Sequence, residues 1–145
     1  MILCTVCARG GSKGVPGKNL RPILGRPLIE HTIEKARSSE AFDAVAVSSD
    51  STAILAAAGN AGADLLIRRP DDIASDDAGK VDAIRHCVAV SEEQLGASVR
   101  VVVDLDATSP LRSVSDIRDA IALLEPDVSN VITASPSRGP PLQPR

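Results

Sequence analysis

A chain of 145 residues with 43% hydrophobic and 24% charged residues suits one globular domain with one apolar core and excludes wholesale disorder. A net charge of −3 and a single aromatic residue, Phe42, argue against nucleic acid as a partner, since neither a basic field nor a base-stacking platform is present. No apolar run approaches the roughly 20 residues that span a bilayer, and the first residues lack a leader pattern, so no membrane partner is expected and the cytoplasm is the expected compartment.

Residues 1–8 form a short apolar run that ends in glycines, the pattern of a central buried strand. Cys4 and Cys7 within it have C-x-x-C spacing, but residues three apart on a strand point to opposite faces, so they and Cys87 read as packing residues. From Pro27, placed at the first helical position, the period changes. Leu28, Ile29, Thr32, Ile33 and Ala36 fall on one helical face. Residues 44–48 read as a second strand. Asp50 or Ser51 then caps an Ala-rich helix closed near Gly62. Residues 64–67 form a third strand and 80–93 a helix with Val81, Ile84, Val88 and Ser91 along one side. Residues 98–105 read as another buried strand. Ser113 and Asp116 make a capping box for a helix with the stripe Val114, Ile117, Ile121 and Leu124. Residues 129–134 read as the last strand. His31 and His86 lie in helix patterns and read as structural.

Alternating β and α units predict an α/β fold of the Rossmann-like, three-layer αβα type with a mostly parallel sheet. Residues 1–135 would make up this domain, and the proline-rich 136–145, which lack a helix or strand pattern, would lie outside it. Open sheets of this type bind ligands beyond the carboxyl ends of their strands. The loops to inspect are therefore 9–26, 48–51, 68–79 and 106–113.

The first loop contains Gly10, Gly11 and Gly14, which let backbone N–H groups approach a ligand, and Arg9, Lys13 and Lys18, three cations in an acidic protein. A nucleoside triphosphate carries about four negative charges, which is the ligand such a loop suits. Ser12 stands where a P-loop requires Gly, and Asn19 follows Lys18. The adjacent Gly10 and Gly11 also break the dinucleotide fingerprint, which counts against a dehydrogenase.

The run Ala-Arg-Gly-Gly-Ser-Lys-Gly-Val-Pro-Gly-Lys-Asn at residues 8–19 resembles the signature of the CMP-sialic acid synthetases (acylneuraminate cytidylyltransferases), whose relatives use legionaminic acid and, more distantly, KDO. The resemblance continues at Val47-Ser48-Ser49-Asp50, at Arg69-Pro70 with Ala74-Ser75-Asp76, and at Thr108-Ser109-Pro110-Leu111-Arg112. It implies a nucleotidyltransferase fold and transfer of CMP from CTP to the anomeric hydroxyl of an acidic nine-carbon sugar, with Mg2+ as cofactor. It assigns the nucleotide to Ala8, Arg9, Gly10, Gly11, Ser12, Lys13, Lys18, Asn19, Asp50 and Arg69, with Arg68 the weaker of the two arginines. Arg9 and Lys18 would act on the phosphates, and the sugar would meet Asp106, Thr108, Ser109 and Arg112.

Many family members carry Gln-Pro where this chain has Asp106-Ala107. A carboxylate cannot donate the hydrogen bonds of an amide but binds hard cations, which makes Asp106 a candidate magnesium ligand. Asp71, Asp72, Asp76 and Asp77 look like a metal cluster in composition, but a helix dipole accounts for acids in that place. Family members are longer than this chain. The resemblance therefore leaves a homodimerisation segment, most sugar contacts and two metal-binding Asp residues outside it, and a nucleotide-binding fragment without turnover is the alternative expectation.

Overall fold

The first apolar run becomes strand β1 (Ile2–Cys7), which is paired in parallel on both edges. The structure, a computed structural model, describes residues 1–11, 14–73 and 79–134. Among these, four parallel strands make the main sheet in the order β5-β4-β1-β6, with β4 at Ala44–Ser49, β5 at Leu65–Arg68 and β6 at Val101–Asp104. Strand pairs at the amino end are closed by carboxylates. Asp43 Oδ2 accepts from the Ile2 N–H at 2.6 Å, and Asp64 Oδ2 accepts from the Val45 N–H at 2.8 Å.

Side chains alternate across β1, and the two faces are covered by different helices. Cys4 and Val6 pack with Ile29 and Ile33 of α1 (Leu28–Ser39), Ile54 of α2 (Thr52–Asn60) and Ile117 of α4 (Val114–Ala122). On the other face Leu3, Ala44, Ala46, Leu65 and Ile67 pack with Cys87 of α3 (Lys80–Leu95). The three-layer αβα arrangement follows, with Cys4 and Cys7 on opposite faces as expected. Burial pushes the Cys4 thiol well above its ordinary pKa. A hydrogen bond from Cys87 lowers Cys7, and the same contact raises Cys87.

Several local expectations are met. Ser51 caps α2 by accepting from the Ile54 N–H, and Ser113 and Asp116 form the reciprocal box at the start of α4. Four expectations need correction. Pro27 is the cap residue before α1 rather than its first residue, because its carbonyl-side torsion is extended. In α3 the buried residues are Ala83, Cys87 and Ser91, while Val81 is exposed; the small side chains let the helix lie close on the sheet. Strand β6 is not buried but is the sheet edge, so Val102 is 40% exposed. Residues 129–134 are not a strand, and Ile132 stays exposed, because among the described residues no edge takes up their backbone hydrogen bonds.

A small hairpin was not anticipated. β2 (Pro22–Ile23) and β3 (Arg26–Pro27) pair antiparallel across Leu24 and Gly25, both at positive φ. Two central residues with positive φ describe the turn that matches strand twist, and Gly25 was its only local signal. His31 Nε2 of α1 donates to the Ile23 carbonyl at 2.7 Å and clips this hairpin in place, a structural role as expected.

Truncating Ile33, which is fully buried between the sheet and its helices, should cost about 2–5 kcal/mol in urea unfolding of Ile33→Ala. The exposed Val81→Gln should change stability by no more than about 0.5 kcal/mol in the same assay. Equal losses for the two variants would contradict the assignment of the α3 face.

Candidate functional site

The chain runs from β1 to β4 to β5 in one direction, and α3 then returns it across the opposite face to β6, on the far side of β1. The loops leaving the adjacent strands β1 and β6 therefore lie side by side at their carboxyl ends, the end at which open sheets of this type bind ligands. The described residues of the loops singled out from the sequence lie at this end of the sheet.

The glycine-rich loop leaves β1 with the Ala8 N–H donating to the Ser48 carbonyl at 3.0 Å. Its two ends are tied by Asn19, a buried residue whose Nδ2 donates to the Arg9 carbonyl at 3.0 Å. Asn19 thus has a local structural task. Asp50 and Ser51 divide the two roles left open by the sequence. Ser51 is the helix cap, whereas Asp50 Oδ1 accepts from the Gly10 N–H at 2.8 Å and holds the loop against β4. Gly10 is required for its size, since a Cβ there would stand 3.0 Å from Ser51 Cβ. Gly11 faces open space and is exposed. Lys18 begins a 3-10 turn (Lys18–Leu20) after Gly17 at φ 62. Arg9 and Lys18 are half-buried. Ser12 and Lys13 lie outside the described residues, as do Asp76, Asp77 and the proline-rich 136–145.

The two arginines after β5 differ. Arg69 is only 6% exposed, with Nε donating to Ser48 Oγ at 3.2 Å and Nη2 to the Ser48 carbonyl at 3.0 Å. Arg68 is exposed and donates to Thr52 Oγ1. The buried guanidinium supplies a fixed positive field at the strand ends. Its field reaches the Cys7 thiol.

The loop after β6 is organised around Asp106. Its Oδ1 accepts from the Thr108 N–H at 2.9 Å and from Thr108 Oγ1 at 2.7 Å. Its Oδ2 lies 3.4 Å from the ammonium of Lys80, which stands 2.7 Å from Asp104 Oδ2. Partial burial would raise the Asp106 pKa, but the Thr108 hydrogen bonds and Lys80 outweigh it and hold the carboxyl below its ordinary value. Lys80 is held above its ordinary value, because both carboxylates outweigh its own desolvation. The loop is anchored to α1 by Lys35, which donates to the Pro110 carbonyl. Thr108 and Ser109 are exposed. Arg112 Nη2 donates to the Asp106 carbonyl at 3.4 Å, while its Nη1 is buried with no partner among the described residues.

Lys80 and Asp104 escaped the sequence reading. The register Thr5↔Asp104, with Thr5 Oγ1 donating to Asp104 Oδ1 at 3.0 Å, is a tertiary fact. The alternation of Asp104 and Asp106 along one strand end was the available signal. Asp71 and Asp72 are exposed in a 3-10 turn (Asp71–Ile73), and no group of three or more potential metal-binding side chains exists among the described residues.

Asp50→Ala leaves the Gly10 N–H without its acceptor, a loss of about 1–2 kcal/mol of local order. Amide hydrogen exchange at Gly10 should accelerate by about fivefold to thirtyfold, while Asp50→Asn, which keeps an oxygen acceptor, should lie between the two. An unchanged Gly10 exchange rate in Asp50→Ala would remove the brace.

Comparison with known proteins bears directly on this geometry. The family described as Cytidylyltransferase matches residues 3–134. The chain is 40% identical over 141 residues to the post-translational flagellin modification protein B of Campylobacter coli, covering 97% of this chain and 60% of that protein. It is 41% identical over 109 residues to a CMP-N,N'-diacetyllegionaminic acid synthase of Campylobacter jejuni, covering 75% and 46%. It is 35% identical over 124 residues to an N-acylneuraminate cytidylyltransferase of Escherichia coli, covering 86% and 28%. The chain thus spans at most 60% of these three relatives. The fold is similar to that of a CMP:2-keto-3-deoxy-manno-octonic acid synthetase complexed with CTP, with TM-score 0.70, 23% identity and coverage of 87% and 48%. The residues at the carboxyl ends of the strands fall inside the matched region, and the chain belongs to the cytidylyltransferase family.

Proposed function

We propose that this chain carries the nucleotide half of an enzyme that transfers CMP from CTP to the anomeric hydroxyl of a nine-carbon 2-keto sugar acid of the sialic or legionaminic type. The observation that carries the reading is the juxtaposition across one switch point. A glycine-rich, cation-bearing loop leaves β1, and a polar loop organised by Asp106 leaves β6 beside it.

In the transfer, the anomeric oxygen forms a bond to the α-phosphorus of CTP. The bond from that phosphorus to the bridging oxygen breaks, pyrophosphate leaves, and the hydroxyl proton passes to solvent or base. Such a step depends on positioning and charge neutralisation rather than on a covalent nucleophile. Arg9, Lys13 and Lys18 hold the phosphates, and Lys18 and Arg9 stabilise charge on the departing pyrophosphate. Ala8, Gly10, Gly11 and Ser12 present backbone groups to the nucleotide, and Asn19 keeps the loop closed. Asp50 braces Gly10, and Arg69 sets the field at the strand ends. Thr108, Ser109 and Arg112 face the sugar, with the unpartnered Arg112 Nη1 suited to an anionic or hydroxyl oxygen. Mg2+ held by Asp106 would supply charge neutralisation at the phosphates.

Calorimetric titration with CTP and Mg2+ should show binding that Lys18→Ala weakens by about tenfold to a hundredfold, the value of one charge-assisted contact. Pyrophosphate release should appear with a sialic or legionaminic acceptor and not with water alone. Release only with KDO would reassign the acceptor, and CTP binding without release would leave a nucleotide-binding unit. A folded chain that does not bind CTP would overturn the reading.

A further inference from the structure

The cysteines have no task in the roles proposed above, yet two of them meet near the carboxyl end of β1. Leu3, Thr5 and Cys7 alternate onto the face of β1 that α3 covers. Cys87, in the middle of α3, is fully buried on that face, and the partly exposed Cys7 packs against the cluster that contains it. The two side chains are in hydrogen-bonding contact. Cys4, by contrast, is fully buried on the opposite face, among residues of α1, α2 and α4.

Charged groups stand on both sides of Cys7. Its register partner on β4 is Ser48, whose Oγ and carbonyl oxygen accept from the buried Arg69. Two residues earlier Thr5 is paired with Asp104 of β6, which holds the Lys80 ammonium at 2.7 Å. The Cys87 hydrogen bond, with smaller help from Arg69 and Lys80, outweighs burial and the Asp104 carboxylate and draws the Cys7 thiol below its ordinary pKa. The same contact, together with burial, pushes Cys87 up, so it stays protonated and donates. A partly exposed sulfur that favours its thiolate, set beside a protonated one, makes an oxidisable pair, because the thiolate is the nucleophile.

We propose that Cys7 and Cys87 form an oxidation site for hydroperoxides, in which Cys7 is the attacking sulfur and Cys87 the resolving one, closing a disulfide between β1 and α3. The Cys7 thiolate attacks one peroxide oxygen and the O–O bond breaks. The other oxygen leaves and takes back from solvent the proton that Cys7 gave up. Cys7 is thereby oxidised by two electrons to a sulfenic acid, and the peroxide is reduced to an alcohol or water. Loss of the Cys7 thiolate removes the first cause that kept Cys87 protonated. The Cys87 sulfur then bonds to the Cys7 sulfur, the S–O bond breaks, and the departing hydroxide takes the Cys87 proton to form water. The sulfurs need only close from hydrogen-bonding contact to about 2 Å. The disulfide ties the root of the glycine-rich loop to α3, and a small thiol reductant reverses it by exchange. The C-x-x-C spacing plays no part, since the sheet separates Cys4 from Cys7.

The test is hydrogen peroxide treatment of the reduced, intact chain, followed by non-reducing tryptic mapping. Peptides 1–9 and 86–100 should be linked within a single chain, and dithiothreitol should separate them. Cys4→Ser should keep the link, which places it on Cys7. Cys87→Ala should abolish it and leave Cys7 as a sulfenic acid captured by dimedone, while Cys7→Ala should leave Cys87 unoxidised. Native Cys7 should react with iodoacetamide at least about tenfold faster than Cys4, whose burial keeps it a thiol. Should Cys87→Ala fold poorly, Cys87→Ser carries the same expectation for dimedone capture. No link in the folded native chain, a link that Cys4→Ser removes, a link only between chains, or Cys7 alkylation no faster than that of Cys4 would overturn the inference. The CTP-binding and pyrophosphate assays judge the transfer reaction independently of all these outcomes.

Discussion

Strand β1 is hydrogen-bonded along both edges, to β4 on one side and β6 on the other, and the rest of the molecule depends on that double pairing. It buries the strand completely enough that Leu3, Cys4, Thr5 and Val6 are out of contact with solvent. It also forces the chain to change direction at β1, since one neighbour follows directly through α1 and the other only after α3 has crossed the opposite face. A parallel sheet built this way has one end at which loops from distant parts of the sequence meet.

The chemistry of that end is set by how each loop is restrained. The glycine-rich loop has few bulky side chains of its own, so it is held by neighbours: Asn19 across its base and Asp50 from the adjacent strand. The β6 loop is restrained differently, by Asp106 accepting from its own downstream residues and by Lys35 reaching from α1. One loop is backbone-rich and cation-bearing, while the other is polar and centred on carboxylates.

Charge placement follows the same division. Arg69 is buried, with its guanidinium donating to both oxygens of Ser48. Lys80, by contrast, is half exposed and shared between two carboxylates. Both residues sit at the carboxyl end of the sheet, yet one is withdrawn from solvent and the other is half exposed. Burial decides the difference, since breaking a solvent-exposed ion pair costs little and uncovering a buried guanidinium costs much.

Local patterns in the sequence determined a large part of this protein. Periodicity marked α1 through Leu28, Ile29, Thr32, Ile33 and Ala36, and the Ser113–Asp116 box marked the start of α4. Glycine spacing and clustered cations pointed to the phosphate-type loop and carried the family resemblance. These features are legible because caps, turns and amphipathic faces are short-range and depend on residues within about four positions of each other. Tertiary structure alone decided which face of α3 is buried, because Ala83, Cys87 and Ser91 win by fitting close to the sheet rather than by being more apolar than Val81. It also decided that 129–134 remain unpaired, that Asp50 braces Gly10, and that Lys80 lies between Asp104 and Asp106. The last two are contacts between residues remote in sequence. Such contacts exist only once the strand order has brought the carboxyl ends together, and no local pattern encodes that order.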